Sequence, residues 1–507
     1  MKSKLLRNPF ISGTLILTVT GLAGRLVGFF YRIFLSRTIG EEGMGIYQLI
    51  FPVFGLFCAL CCGCFETAIS RFVAAQTSAR RQSRFFGAGL FLSLVFSSCA
   101  ALLVWLLAKP IAVYILLEER CTPLLQLIAL ALPFSGLHAC INGYYYGLKK
   151  ATQPALSQFL EQAVRVASVF LIWQVSVSRG GTLTPSGAIT GTLLGEVASV
   201  LFLAGSLCFH RTGGSLSGAA ADGSDTFRRS CGLIMAMALP LMANRLCISL
   251  LQSAEAIMIP SRLRLYGLDS QAALSLYGVL TGMSMPFILF PSTLTNSAAV
   301  MLLPAVAQAQ ADGSEGRITN SIRKSVHLCL LLGILCTGIF LLFGDEMGQI
   351  VFQSATAGNF ITILAWLCPF LYLGTTLGSI LNGLGMTGIT FTNNLVCLLI
   401  QLAFVVFLVP RFGILACLWG MLAGELVLAG LHLKALRKPY PFVFSPAKSI
   451  LIPAAVIAIG GGGGKALEYI GLHYTNLPKI LWLIAGCGFA CLFYLACLFL
   501  PLRRESK

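Results

Sequence analysis

The stretch "GLAGRLVGFFYRIFLSRTIG" (residues 21–40) decides how the chain is read. It lies in the first long apolar run yet carries Arg25 and Arg32. A guanidinium at the centre of a membrane helix costs roughly 2.5–3.5 kcal/mol, and each Leu, Ile, Phe or Val returns roughly 0.3–0.6. The apolar residues of this run therefore just offset two arginines. Arg32, nearer the end of the run, can snorkel to an interface; Arg25 has no such escape. At 100° per residue, Thr14, Thr18, Gly21, Arg25, Arg32 and Ser36 fall within about 40° of one another. Ile16, Ala23, Val27, Phe30 and Phe34 occupy the other side. The polar stripe predicts a helix whose one face looks into a wet interior.

The rest of the chain has the same character. Of 507 residues, 57% are hydrophobic and only 10% charged, against about 25% charged in soluble proteins. Apolar segments long enough to cross a bilayer recur from end to end. They predict an all-α integral membrane protein with fourteen transmembrane helices, near 10–36, 44–70, 86–108, 123–147, 154–176, 187–209, 232–259, 273–303, 326–344, 360–383, 391–410, 413–433, 449–463 and 479–500. Lys2, Lys4 and Arg7 precede the first run as in a signal peptide, but its length and its two arginines read as a retained helix.

An even number of helices puts both termini on one side. With the termini cytoplasmic, the inner segments hold about 21 of the 35 Lys+Arg and the outer loops about 9. The other five are Arg25, Arg32, Arg71, Arg165 and Arg245, within or beside spans. Much of the +17 net charge is thus topology and calls for no nucleic acid partner.

Two blocks repeat. "ALALPFSGLHACINGYYYGL" (129–148) aligns with "AWLCPFLYLGTTLGSILNGL" (365–384) at an offset of 236, and "GTLLGEV" (191–197) aligns with "GMLAGEL" (420–426). The pairs Arg25-Leu26 and Arg245-Leu246 extend the pattern. Six spans per half make a parallel repeat, an arrangement in which lobes rock about a central site. The expected organisation is an N-lobe over 1–210, a cytoplasmic Gly/Ser/Ala-rich linker over 211–231, a C-lobe over 232–438, and two further helices with a tail over 439–507.

Further ionisable residues lie inside spans. Gln158, Glu161, Gln162 and Arg165 share a face, with Glu161 and Arg165 spaced i,i+4. Arg245, Ser249 and Gln252 share another, with Glu255 at its edge, and "FETAISR" brings Glu66 and Arg71. Such residues usually line a substrate path. A cavity walled by Arg25 and Arg245 suits an anion, since guanidinium matches phosphate in charge and geometry. Glu196 and Glu425, each in a Gly-x-Leu-x-Gly-Glu setting, and the Glu161–Arg165 pair read more simply as buried contacts between helices.

No cofactor or metal site is expected. "CALCCGC" (58–64) has a C-x-x-C spacing, but no histidine or second pair accompanies it, and cysteine here serves as a small apolar residue. "GGGGGK" (460–465) lacks the Walker spacing and reads as a flexible helix end. No catalytic residue is expected either, because His138, His210, His327, His432 and His473 are scattered and the outer loops are short.

"GRLVGFFYRIFLSRTIGEEGMGIYQLIFPV" (24–53) followed by "TAISRFVA" (67–74) resembles the opening of bacterial polysaccharide transporters. The closest resemblance is to the stage V sporulation protein B group and the lipid II flippases of the multidrug/oligosaccharidyl-lipid/polysaccharide exporter superfamily. It implies two six-helix lobes around a cationic cavity, two extra C-terminal helices forming a groove for a prenyl tail, and a plasma membrane location in a Gram-positive bacterium. It also implies a lipid-linked saccharide substrate with an undecaprenyl pyrophosphate, among membrane lipids, with cell-wall synthesis enzymes as candidate partners. On this resemblance Arg25 and Arg245 contact the pyrophosphate, with Arg32, Arg71, Glu66, Gln252, Glu161 and Arg165 as further substrate-binding candidates. The chain departs from the sporulation group where a proline precedes x-A-I-S; here it is Glu66. A cation antiporter of the multidrug type shares the fold and is the alternative, carried by Glu66, Glu161, Glu196, Glu255 and Glu425. A membrane-bound polysaccharide ligase or polymerase, and a scaffold without transport, are the remaining alternatives.

Overall fold

The structure, a computed structural model, describes residues 9–211, 227–443, 445–475 and 477–504, with side chains from 20 to 208 in the first stretch and to 498 in the last. Most of the expected linker lies outside these residues, as do Lys2, Lys4, Arg7 and the side chains of Thr14, Thr18 and His210. All regular secondary structure among the described residues is helical.

Among the described residues, thirteen stretches are long and apolar enough to cross a membrane. One of them, Thr20–Ala74, has 55 residues, about 80 Å of helix against a hydrocarbon core of about 30 Å. It is interrupted where the first helix, α1 (Pro9–Leu49), breaks at Gly40, whose φ of 73° suits glycine. Pro52 then opens α2 (Phe51–Cys61), where its missing N–H is harmless. At Cys62 (φ −110°, ψ −75°) the chain bends into α3 (Gly63–Ala74). This bend needs no proline at position 66. The first unit continues through α4 (Ala79–Leu106), α5 (Thr122–Ala129), α6 (Ala131–Gly147), α7 (Thr152–Ser178), α8 (Pro185–Arg211) and α9 (Phe227–Leu265).

The chain divides into two compact units, Met1–Ile257 and Met258–Lys507. The boundary falls inside α9, so Arg245 belongs to the first unit. Ile234, Ala238 and Met242 of α9 join Phe65, Ala68 and Ile69 of α3 and Cys140 of α6 in one buried cluster. Cys61 and Cys62 serve another as apolar side chains. Pro240 lies within α9 without interrupting it.

The second unit holds α10 (Ser270–Gly278), α11 (Met285–Leu289), α12 (Ser292–Ala311), α13 (Glu315–Met347), α14 (Ala355–Leu364), α15 (Cys368–Gly383), α16 (Thr387–Ala403), α17 (Ile414–Arg437), α18 (Ile452–Tyr474) and α19 (Lys479–Arg504). The expected single helix over 273–303 is broken at Phe290–Pro291, where proline removes a backbone donor, and continues as α12. Tyr372 of α15 donates its hydroxyl to the Ile288 carbonyl just before that break (3.1 Å).

The backbone repeats the sequence repeat. Leu117 and Gln353 take left-handed φ of 55° and 57°, and Lys149 and Gly385 take 59° and 76°, each pair at the offset of 236. A π-helical turn precedes each of the first two, at Ile111–Ile115 and Gly348–Phe352.

The glycine run 460–465 is a correction. It is the interior of α18, not a flexible end. A side chain at Gly464 would collide with the backbone of Gly486 in α19, and one at Gly461 with Leu342 of α13. The glycines let three helices approach closely. Lys465, expected in an outer loop, lies in the same helix, with Nζ 2.5 Å from Glu346, 3.2 Å from Glu468 and 4.8 Å from the Phe343 ring centre.

Candidate functional site

The ionisable residues of the first unit gather around the bend at Cys62. Arg245 of α9 lays its guanidinium against Gly63, in the space a β-carbon there would fill. Glu66 stands in the first turn of α3, where the helix dipole favours a carboxylate. It lies within electrostatic reach of Arg245 on one side and of His138 on the other. Gly143 of α6 packs on the Glu66 backbone, leaving no room for a side chain. Arg71, two turns along α3, is exposed and reaches the sulfur of Met237 (4.0 Å). Ser253 of α9 donates to the Pro52 carbonyl in α2 (2.8 Å), which fixes α9 beside the proline. Arg245 itself is exposed, as is Gln252, while Glu255 is buried.

Arg25 is exposed and makes no hydrogen bond or ion pair among the described residues. The stripe it belongs to runs through half-buried Arg32 to buried Ser36, while Phe30 on the other side is 60% exposed. Phe34 packs on Phe170 and Trp173 of α7. Arg32 senses the charge of Arg165 and the Tyr47 hydroxyl. The structure thus brings Arg245, Glu66 and, through His138, Glu161 and Arg165 into one line of charges. It leaves Arg25, Arg71 and Gln252 as separate exposed groups.

The i,i+4 pair of α7 forms, Arg165 meeting Glu161, with Nη1 also donating to Gln162 Oε1 at 3.3 Å. Sequence reasoning missed His138. Its Nδ1 lies 3.3 Å from Glu196 Oε2 and 3.9 Å from Glu161 Oε2, and its Nε2 lies 3.1 Å from Ser157 Oγ. The available signal was its place in the repeat block, where the other half has Gly374. Polar atoms of His138, Glu161 and Glu196 all lie within 4.8 Å of one another. With the Arg165 cation bound to Glu161, this is an ion-pair cluster.

A separate recess is lined by Ile39, Glu42, Gly43, Arg120, Leu124 and Pro185 among others, and contains none of the predicted site residues. Arg120 there bridges Glu42 (2.7 Å) and Glu118 (2.6 Å).

The family model for polysaccharide biosynthesis proteins matches residues 10–310. The chain belongs to that family. It is 28% identical over 496 residues to stage V sporulation protein B of Bacillus subtilis (strain 168), covering 95% of this chain and 94% of that protein. Its fold is that of the multidrug/oligosaccharidyl-lipid/polysaccharide (MOP) exporter superfamily. A structure of the lipid II flippase MurJ in an inward closed conformation superposes with a TM-score of 0.75 at 13% identity, covering 97% of this chain and all of that one (100%). An inward-facing multidrug resistance MATE transporter superposes with a TM-score of 0.62 at 15% identity, covering 85% and 97%. The all-helical architecture expected from the sequence is therefore the fold of this membrane superfamily.

Proposed function

We propose that the protein is a flippase. It moves a lipid-linked oligosaccharide or peptidoglycan precursor, carried on undecaprenyl pyrophosphate, across the plasma membrane by alternating access and without catalysis. The observation that carries this reading is Arg245, an exposed guanidinium seated at the bend of a membrane helix pair. An exposed guanidinium within an apolar helix suits an anionic headgroup. The family of the chain and its likeness to stage V sporulation protein B and to the lipid II flippase MurJ support the same reading. The distribution of Lys and Arg supports cytoplasmic termini. Outward movement of a negative headgroup is favoured by about 2.3 kcal/mol per charge per 100 mV of inside-negative potential.

Arg25 and Arg245 bind the pyrophosphate; Arg32, Arg71 and Gln252 serve as secondary contacts, and Glu66 sets the charge beside Arg245. A cation antiporter on the same fold would be expected to bury acidic groups for cation or proton coupling. Here Glu161 is paired with Arg165 and Glu196 with His138, and it is arginine that is left exposed.

Native mass spectrometry of the purified chain tests the proposal, with undecaprenyl-pyrophosphate-linked sugar titrated into wild type, Arg25→Ala and Arg245→Ala. Binding weakened by both substitutions supports it. Binding indifferent to both, or absent, removes the site assignment and favours the antiporter.

A further inference from the structure

The recess bounded by α1, α5 and α8 has a volume of about 460 Å³, within the range of about 300–1,000 Å³ that takes a small ligand. Its walls lie wholly in the first unit. Ile39 and Ile46 of α1, Pro123 and Leu124 of α5 and Pro185 of α8 give it an apolar surface. Gly43 brings α8 close to α1, since a β-carbon there would lie 3.8 Å from the Pro185 ring.

Two of the lining residues are ionisable, Glu42 and Arg120, and they pair with each other (2.7 Å), so the lining sums to zero charge. Glu118, 8% exposed, holds the other edge of the guanidinium through Nε (2.6 Å) and Nη2 (3.2 Å). These bonds use three of the five N–H donors of Arg120. Two donors remain, on a side chain that is 52% exposed. Glu42 accepts through Oε1; its Oε2 and the Ser186 hydroxyl have no partner among the described residues. Donors and acceptors thus stand side by side above an apolar floor. A phosphate would meet the Glu42 carboxylate, and a bare cation would meet the Arg120 guanidinium. A neutral ligand whose hydroxyl groups both donate and accept, and whose C–H face is apolar, satisfies every part of the surface. That is the chemistry of a saccharide.

The turn that carries Arg120 does not need its charges. At the offset of 236 the counterpart keeps the left-handed residue, Gln353 for Leu117, but has Ser354 and Thr356 in place of Glu118 and Arg120. Ser354 Oγ there accepts from the Ala357 N–H (3.0 Å) and caps α14. The paired charges are therefore an addition of the first unit, and they hold the Arg120 fork in place before any ligand arrives.

We propose that this recess is a saccharide-binding site. Arg120, Glu42 and Ser186 bond the sugar hydroxyls, and Ile46, Pro123 and Pro185 pack on its C–H face. The site is apart from the pyrophosphate contacts. Ile39 follows Arg25 by roughly 20 Å along α1, within about 40° of it around the axis. The recess thus stands at the far end of the stripe of Arg25, Arg32 and Ser36. On the topology proposed above this is the outer end, where the sugar of a lipid-linked cargo emerges; in that source the assignment rests on the flippase reading. A free glycan outside the membrane has the same chemistry.

The test is saturation-transfer-difference NMR of the full chain in lipid nanodiscs with soluble disaccharides: diacetylchitobiose, cellobiose and maltose. At least one is expected to show transfer. Glu42→Gln, which turns the free acceptor into a donor, and Ser186→Ala should each reduce it by about threefold or more, as the loss of one hydrogen bond implies. Should Glu42→Gln not fold, Ser186→Tyr, which fills the recess and leaves the ion pairs in place, replaces it. Transfer from none of the disaccharides, transfer indifferent to these substitutions, or transfer abolished by millimolar phosphate or calcium overturns the proposal. Undecaprenyl-pyrophosphate-linked sugar and sugar-free undecaprenyl pyrophosphate are then added as competitors. Displacement by the first alone makes the cargo's sugar the ligand, and displacement by neither makes it a free glycan. Displacement by both returns the recess to the pyrophosphate path and overturns the proposal. The flippase reading fails separately, when neither lipid binds in native mass spectrometry, and that failure leaves the disaccharide result standing.

Discussion

The Arg245 guanidinium occupies the space that a side chain at Gly63 would need. A β-carbon added there meets the far end of a flexible side chain, which can swing away at little cost. Gly63→Ala is thus expected to change stability by no more than about 1 kcal/mol, as for other substitutions with room to relax. It should nevertheless displace the guanidinium and weaken binding of undecaprenyl-pyrophosphate-linked sugar to the level of Arg245→Ala. Thermal unfolding and native mass spectrometry on the same sample separate the two effects.

Arg25 and Arg165 should respond oppositely to truncation. Arg25 is exposed and unpaired among the described residues, so Arg25→Ala leaves the melting temperature within about 1 °C while lowering ligand affinity. Arg165→Ala strands Glu161, whose side chain is only 17% exposed, and should destabilise the protein by about 1–3 kcal/mol, below the figure for a fully buried pair. Arg165→Ala with Glu161→Gln should recover most of that loss. A double-mutant cycle followed by thermal unfolding in detergent checks it.

Gly464 faces the Gly486 backbone, which cannot give way as a side chain can. Gly464→Val is expected to cost about 1–3 kcal/mol or more through overpacking and to loosen α18 and α19 from α13. Limited proteolysis should cut the variant after α17 at protease concentrations that leave the wild type intact. Gly462→Ala, where nothing lies within 4 Å of the added carbon, should behave as wild type.

The positive-inside reading places Lys109 and Lys150 on opposite sides of the membrane, with α6 between them. Lys150→Cys in a cysteine-depleted chain should react with an impermeant maleimide only after cells are opened, and Lys109→Cys in intact cells. The reverse pattern would invert the proposed topology.

Much of this protein was legible in its sequence because the bilayer imposes a local rule. Each crossing must be apolar over a set length, so spans and charges such as Arg25, Arg245 and Glu161 stand out one segment at a time. The repeat was visible for the same reason, and the paired left-handed residues at Leu117 and Gln353 show that the backbone follows it. What tertiary structure decided was which of those charges meet. His138 and Glu196 are 58 residues apart and lie on helices whose rotation is set by close contacts at Gly143, Gly191 and Gly195. The six-residue stretch ending at Lys465 looked loose for want of side chains, yet in the fold those missing side chains let α18 pack closely on α13 and α19. Helix periodicity determines which residues share a face. Only packing, through the depth and rotation at which neighbouring helices lock, determines what that face touches.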